Sequence, residues 1–268
     1  MKFSTIFGVL SACMIMLLCL TYEGVLPGKK KELRRRGRFV RNISRGDHTT
    51  SMSGVILTSF FTSKSDPQRG HRVRQSFNYM KKFYTGAKFY NINVRVFHDG
   101  LPENFILRYS DEHFQFVKVE KIPIRMTTND YRFIAYNIFI EQNRAYSYFL
   151  FLDISDIIIL RNPFAIVEKS RRDDLILWAS PDKGTVNGNA WMKEKMKQCF
   201  QTSTSYSELN NFQLLNAGAW AATLKTSVCM MKCMVQLLLT QMKDRGNCNV
   251  SWLLLASITV PSFKRVVR

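Results

Sequence analysis

The sequence predicts an α/β domain with a largely parallel central sheet, on three observations. Apolar runs of strand length recur along the chain. Stretches with apolar residues at helical spacing alternate with them, and turn residues separate the two. Strands that alternate with helices are joined by crossover connections, which is what makes a sheet parallel. The chain has 268 residues, and those from 54 onward suit one domain of ordinary size with a sizeable core.

The elements follow in order. Val55-Ile56-Leu57-Thr58 suits a buried strand, and Asp66-Pro67-Gln68-Arg69-Gly70 makes a turn. Val73, Phe77, Met80 and Tyr84 share one helical face. Val94 to Phe97 and Phe114 to Val119 are the second and third strands. Asn129-Asp130 is placed to cap a helix whose Phe133, Tyr136 and Ile140 share a face. Tyr148 to Leu152 is an unbroken apolar run that stops at Asp153. Ile157 to Leu160 is apolar again, until Asn162-Pro163 ends it and Phe164 fills the core. Leu175 to Trp178 and Leu214 to Trp220 are further strands. Val228, Met231, Val235, Leu238 and Met242 mark a long amphipathic helix that stops at Gly246.

Ahead of the domain, residues 1–22 hold an uncharged stretch from Phe3 to Tyr22, just long enough to cross a bilayer as a signal-anchor. A cleaved signal peptide is the second reading, although no small-x-small cleavage site precedes the basic run. Residues 23–53 form a basic stem, with nine Lys and Arg between Lys29 and Arg45. Such a run is usually a solvated arm, and no aromatic residues are interleaved with it, so nucleic acid is not an expected partner. The positive-inside rule would keep the domain in the cytosol. The sequons Asn42-Ile43-Ser44 and Asn249-Val250-Ser251 favour the lumenal side, as glycosylation sites at Asn42 and Asn249.

The formal charge is +19, concentrated in that stem. Cys199, Cys229, Cys233 and Cys248 are an even number, compatible with buried thiols or one disulfide in an oxidising compartment. The Cys229-x3-Cys233 pair has no histidine after it, so a structural zinc site is not expected.

Chemistry concentrates where the fourth strand ends. Open α/β sheets bind ligands beyond the C-terminal ends of their strands. Asp153 and Asp156, three apart at such an end, form a pair able to hold a hard divalent cation that leaves positions for phosphate oxygens. The competing reading makes Asp153 a turn cap and Asp156 a solvated side chain. Arg69 and Arg132 each offer a planar fork to a diphosphate, or form an ordinary ion pair. Thr58 bonds a ligand or merely ends its strand. Gly218 lets backbone approach a ligand or permits close packing. Asp182, after a strand, is a candidate general base, although a turn aspartate after Pro181 is the simpler reading.

The strand running into DISDIIILRNPF resembles the metal-site segment of GT-A nucleotide-diphospho-sugar transferases, with DxxD in place of the usual DxD. Asp66 to Gly70, Asn129 to Phe133 and Asn216-Ala217-Gly218 fall in the order of that family's donor-contacting segments, so the resemblance spans Val55 to Asn249. It implies a Rossmann-like GT-A fold over residues 54–268 and a glycosyltransferase. The donor would be a UDP- or GDP-sugar and the acceptor a hydroxyl of a glycan, glycoprotein or lipid. Mn²⁺ or Mg²⁺ would sit at Asp153 and Asp156. Thr58, Arg69, Asp130, Arg132, Asn216 and Gly218 would contact donor. The implied setting is the Golgi or ER membrane, single-pass type II, with the domain in the lumen.

Many such enzymes complete the metal site with a late histidine, and this sequence has none after His113. Either another group serves, or the domain is truncated at its C-terminus and catalytically compromised. The alternative function is then a lumenal protein that binds nucleotide sugar or glycan on a degenerate GT-A fold.

Overall fold

The computed structural model describes residues 54–170, 177–194 and 213–245. The expected anchor over 1–22, the stem over 23–53, both sequons, Cys199, Cys248, Gly246 and the strand start at Leu175 lie outside the described residues. Among those described, no helix is long and apolar enough to cross a membrane.

Six strands form one sheet in the order β3-β2-β1-β4-β6-β5. They are β1 (Gly54–Phe60), β2 (Val94–His98), β3 (Phe114–Lys118), β4 (Tyr148–Leu152), β5 (Leu177–Thr185) and β6 (Gln213–Thr223). β1 to β4 are parallel, while β6 runs antiparallel to both β4 and β5. The sheet is thus mostly parallel, as the sequence predicts. β1 and β4 have almost every residue buried, which explains their unbroken apolar runs.

Among the described residues five helices cover the two faces: α1 (Lys81–Phe89), α2 (Glu103–Tyr109), α3 (Thr128–Gln142), α4 (Pro163–Lys169) and α5 (Leu224–Arg245). One face carries Val55 and Leu57 of β1 against Phe133, Tyr136 and Ile140 of α3 and Met230, Met234 and Leu238 of α5. The other carries Ile56 and Phe60 against Phe83 and Ala87 of α1 and Val167 of α4. Cys229 and Cys233 are buried on α5.

Three local expectations are corrected and one helix is added. The single helix expected from Val73 to Tyr84 is broken. Ser76 caps a 3₁₀ turn over Phe77–Tyr79, and α1 starts only after Met80, so Val73 stays in the preceding loop. α2 carried no clear signal in the sequence. The cap of α3 is Thr127, not Asn129-Asp130: its hydroxyl accepts from the Asp130 amide at 3.1 Å and donates to the Asp130 carboxylate at 2.7 Å. That reciprocal bond satisfies donors that a helix start leaves unpaired. Finally, Pro163 opens a helix instead of ending a strand. Asn162 caps α4 by accepting from the Phe164 amide at 2.9 Å, and Pro at the first helical position loses no bond. Phe164 does pack inward, with its ring where a side chain on Gly54 would stand.

Candidate functional site

The chain after β1 moves to β2 and then β3 on one side, whereas β4 lies on the other side of β1. The strand order therefore reverses between β1 and β4, and the crevice beyond their C-terminal ends is where such sheets bind ligands. Two clusters of charge occupy it.

The inner cluster joins four of the sequence-nominated residues. Arg132, on the first turns of α3, is 5% exposed and forms an ion pair from Nη1 to Oδ1 of Asp153 at the end of β4. Its Nη2 reaches the Ala217 carbonyl at 3.4 Å, and Nε is buried without a partner among the described residues. Burial disfavours the guanidinium charge, but Asp153, Tyr136 and Asp130 together outweigh it and hold the pKa above its ordinary value. The Asp153 amide donates to the Gly218 carbonyl at 2.8 Å. A Cβ built on Gly218 would stand 2.0 Å from the Asp153 carboxylate, so glycine here makes room for that side chain. Asn216 accepts from the Gly218 amide at 2.7 Å within β6.

The outer cluster sits on loops. Arg69 Nη2 pairs with Asp156 Oδ1 at 3.0 Å and donates to Ser155 Oγ at 3.2 Å. Ser155 in turn donates to Asp156 at 2.6 Å. The Arg69 guanidinium also reaches the Tyr79 hydroxyl at 3.4 Å. Burial pushes the Tyr79 phenol up, and the Ser155 and Arg69 contacts only partly oppose it. The Asp156 side chain is 60% exposed. The loop itself is formed by Asp66, whose carboxylate accepts from the amides of Gln68 and Arg69 at 2.8 and 3.1 Å.

Between the end of β1 and the start of α3 lies a hollow lined by Ser59, Phe61, Lys64, Asp66, Tyr79 and Asn129. Thr58 is not among them. Strand alternation places it on the face of Ile56 and Phe60, fully buried, and the residue that reaches the hollow is its neighbour Ser59. Asp130 is likewise buried, engaged in the cap with Thr127. Asp182 lies within β5, not after it, and its carboxylate accepts from the Lys183 amide at 2.8 Å, the turn role.

Two residues absent from the sequence reading shape the site. Lys64 Nζ donates to the carbonyls of Pro123, Ile124 and Met126, pinning the loop that leads into α3. Asp99 accepts from the amides of Thr62 and Ser63 and fixes the chain after β1. Nothing in local sequence marks Lys64. Asp99 follows a strand as Asp153 does, a signal that could have drawn attention to it.

Asp153 and Asp156 are the acidic groups just past the end of β4, and among the described residues no three His, Cys, Asp or Glu side chains come together. Magnesium-like cations are commonly held by one or two carboxylates with substrate phosphates supplying the rest. The charges fit that mode. Two aspartates and two arginines sum to zero, so a diphosphate accompanied by a divalent cation leaves the crevice close to balanced.

The sequence matches no protein-family model and no curated protein. A structural search finds core-mannan synthase A (CmsA/Ktr4) from Aspergillus fumigatus in its Mn/GDP form, at TM-score 0.39 and 10% identity, covering 79% of this chain and 72% of that one. It also finds galactosyltransferase LgtC in complex with donor and acceptor sugar analogs, at TM-score 0.42 and 16% identity, covering 76% and 70%.

Proposed function

We propose that the domain transfers a glycosyl group from a nucleotide sugar to a hydroxyl of a glycan, glycoprotein or lipid acceptor. The observation that carries this reading is the convergence of Arg132, Asp153, Asn216 and Gly218 at the switch point of the sheet. These residues come from three separate segments, and the contacts among them are direct.

The chain's own groups divide the work. Arg132 orients Asp153 beside the narrow backbone of Gly218. Arg69 holds Asp156 from an exposed loop and can turn its remaining donors to a diphosphate. Ser59, Tyr79 and Asn129, with Phe61, line the hollow of about 30 Å³ beside the crevice, room for a water or a single polar group of the donor. Asp153 and Asp156 would hold Mn²⁺ or Mg²⁺, which supplies Lewis-acid stabilisation of the departing diphosphate. Asp182 stays a candidate general base, with one of its oxygens accepting from the Lys183 amide within β5.

A second reading has one specific observation in its favour. Both carboxylates are already paired with arginines, which suits a protein that binds nucleotide sugar or glycan without turning it over. The compartment in this proposal is the lumen of the Golgi or ER, with the chain held as a single-pass type II membrane protein. Glycan at Asn42 or Asn249, and protection of the domain from protease in sealed microsomes, would support that topology; digestion would contradict it.

Thermal denaturation with UDP or GDP tests the binding site. Either nucleotide should raise Tm more with Mn²⁺ than with chelator. No shift with either, in either condition, would end this proposal.

A further inference from the structure

The end of the sheet opposite the candidate site carries large apolar side chains in water. Phe89, the last residue of α1, and Leu160 are each 78% exposed, and Ile166 on α4 is 49% exposed. Their segments adjoin. The Tyr90 hydroxyl donates to the Leu160 carbonyl. The Phe89 ring lies edge-on to Tyr90, with centroids 4.8 Å apart. The Ile159 backbone closes over Gly86. Ile166 borders an open hollow with Arg161 and Lys169, both exposed, and Glu168 is the one acidic side chain of α4. Phe164 rests on Gly54, the first residue of β1, so this is also the side at which the chain enters the domain.

Clustered exposed apolar residues mark a surface that is covered in use. Aromatic and aliphatic side chains fringed by arginine and lysine match the boundary between acyl chains and phosphate headgroups. A second copy laid face to face would bring Arg161 and Lys169 towards their own equivalents, which disfavours that occupant. The 53 residues ahead of Gly54 carry the uncharged Phe3-to-Tyr22 stretch and the nine Lys and Arg between Lys29 and Arg45, and they join the domain on this side.

We infer that the face formed by Phe89, Leu160, Ile166, Arg161 and Lys169 rests on a phospholipid bilayer, with Arg161 and Lys169 at the headgroup phosphates and the candidate site turned away from it. The placement of the membrane rests on the anchored reading above; the lipid contact is a separate claim about folded residues.

The test uses the full chain in phosphatidylcholine vesicles containing phosphatidylserine and brominated acyl chains, which quench tryptophan on contact. Single substitutions Phe89→Trp, Leu160→Trp and Ile124→Trp are compared with the unsubstituted chain. Ile124 is exposed and belongs to the loop pinned by Lys64 at the site end. The added signal at 89 and 160 should be quenched several-fold more than that at 124. Arg161→Glu with Lys169→Glu should reduce that quenching while the chain still floats with vesicles. Equal quenching at all three positions in a floating chain overturns this inference and leaves the anchor standing. A chain that does not float overturns both. A dimer that shields positions 89 and 160 without quenching assigns the face to a second copy and also overturns it.

Discussion

Arg132 and Asp153 form an ion pair between a helix and the end of the neighbouring strand, with the arginine almost wholly out of water. The pair is both a structural joint and the inner wall of the candidate site. Removing one partner of a buried pair strands the other charge, at a cost of about 3–5 kcal/mol. Arg132→Leu and Asp153→Asn should therefore both lower stability by amounts of that order, read by denaturant unfolding. A change smaller than about 1 kcal/mol in either would show that the pair is better hydrated than its burial indicates.

The outer pair behaves differently. Arg69 and Asp156 meet at 3.0 Å on exposed loops, where an ion pair contributes roughly 0–1 kcal/mol. Arg69→Ala and Asp156→Asn should leave the melting temperature of the free protein nearly unchanged and abolish the extra stabilisation by nucleotide with Mn²⁺. A large loss of stability without nucleotide would recast this pair as a structural joint.

Gly218 is tested by the smallest possible addition. A methyl group there would overlap the Asp153 carboxylate, so Gly218→Ala should push Asp153 off Arg132. The expected result is about 1–3 kcal/mol of overpacking cost and weaker nucleotide binding. Unchanged stability and binding would mean that β6 can move away from β4 freely.

His98 gives the fold a pH dependence. It is buried at the end of β2, and its Nδ1 accepts from the Leu101 amide at 3.1 Å, which requires the neutral ring. Burial holds its pKa below the ordinary value of 6.5. The unfolded chain then takes up a proton that the folded one refuses, so stability is full above about pH 6.5 and declines as pH falls towards the folded pKa. His98→Asn, which can still accept that bond, should flatten Tm between pH 7 and 5, the window in which the ordinary value lies. An equally steep decline in the variant would place the titrating group elsewhere.

The parts legible in the sequence were those with a local signature. β1 and β4 announced themselves as unbroken apolar runs because both of their faces are covered. The acidic stop at Asp153 marked the crevice for the same reason. What escaped depended on side chains meeting across distance. Thr58 and Ser59 are adjacent, and only their alternation in the folded sheet decides which one reaches the hollow. The three carbonyls held by Lys64 lie about sixty residues away in sequence. The helix expected from Val73 failed because spacing cannot reveal the cap that Ser76 provides, and Pro163 was misjudged because proline can open a helix as readily as it ends a strand.

The most direct test of the account is turnover. The purified full chain is incubated with UDP- and GDP-sugars and Mn²⁺, and release of nucleoside diphosphate is measured beside Asp156→Asn. The account predicts release from one donor class by the parent chain and its loss in a variant that melts at the same temperature. Release that is unchanged in Asp156→Asn, or no release from any donor, would contradict it.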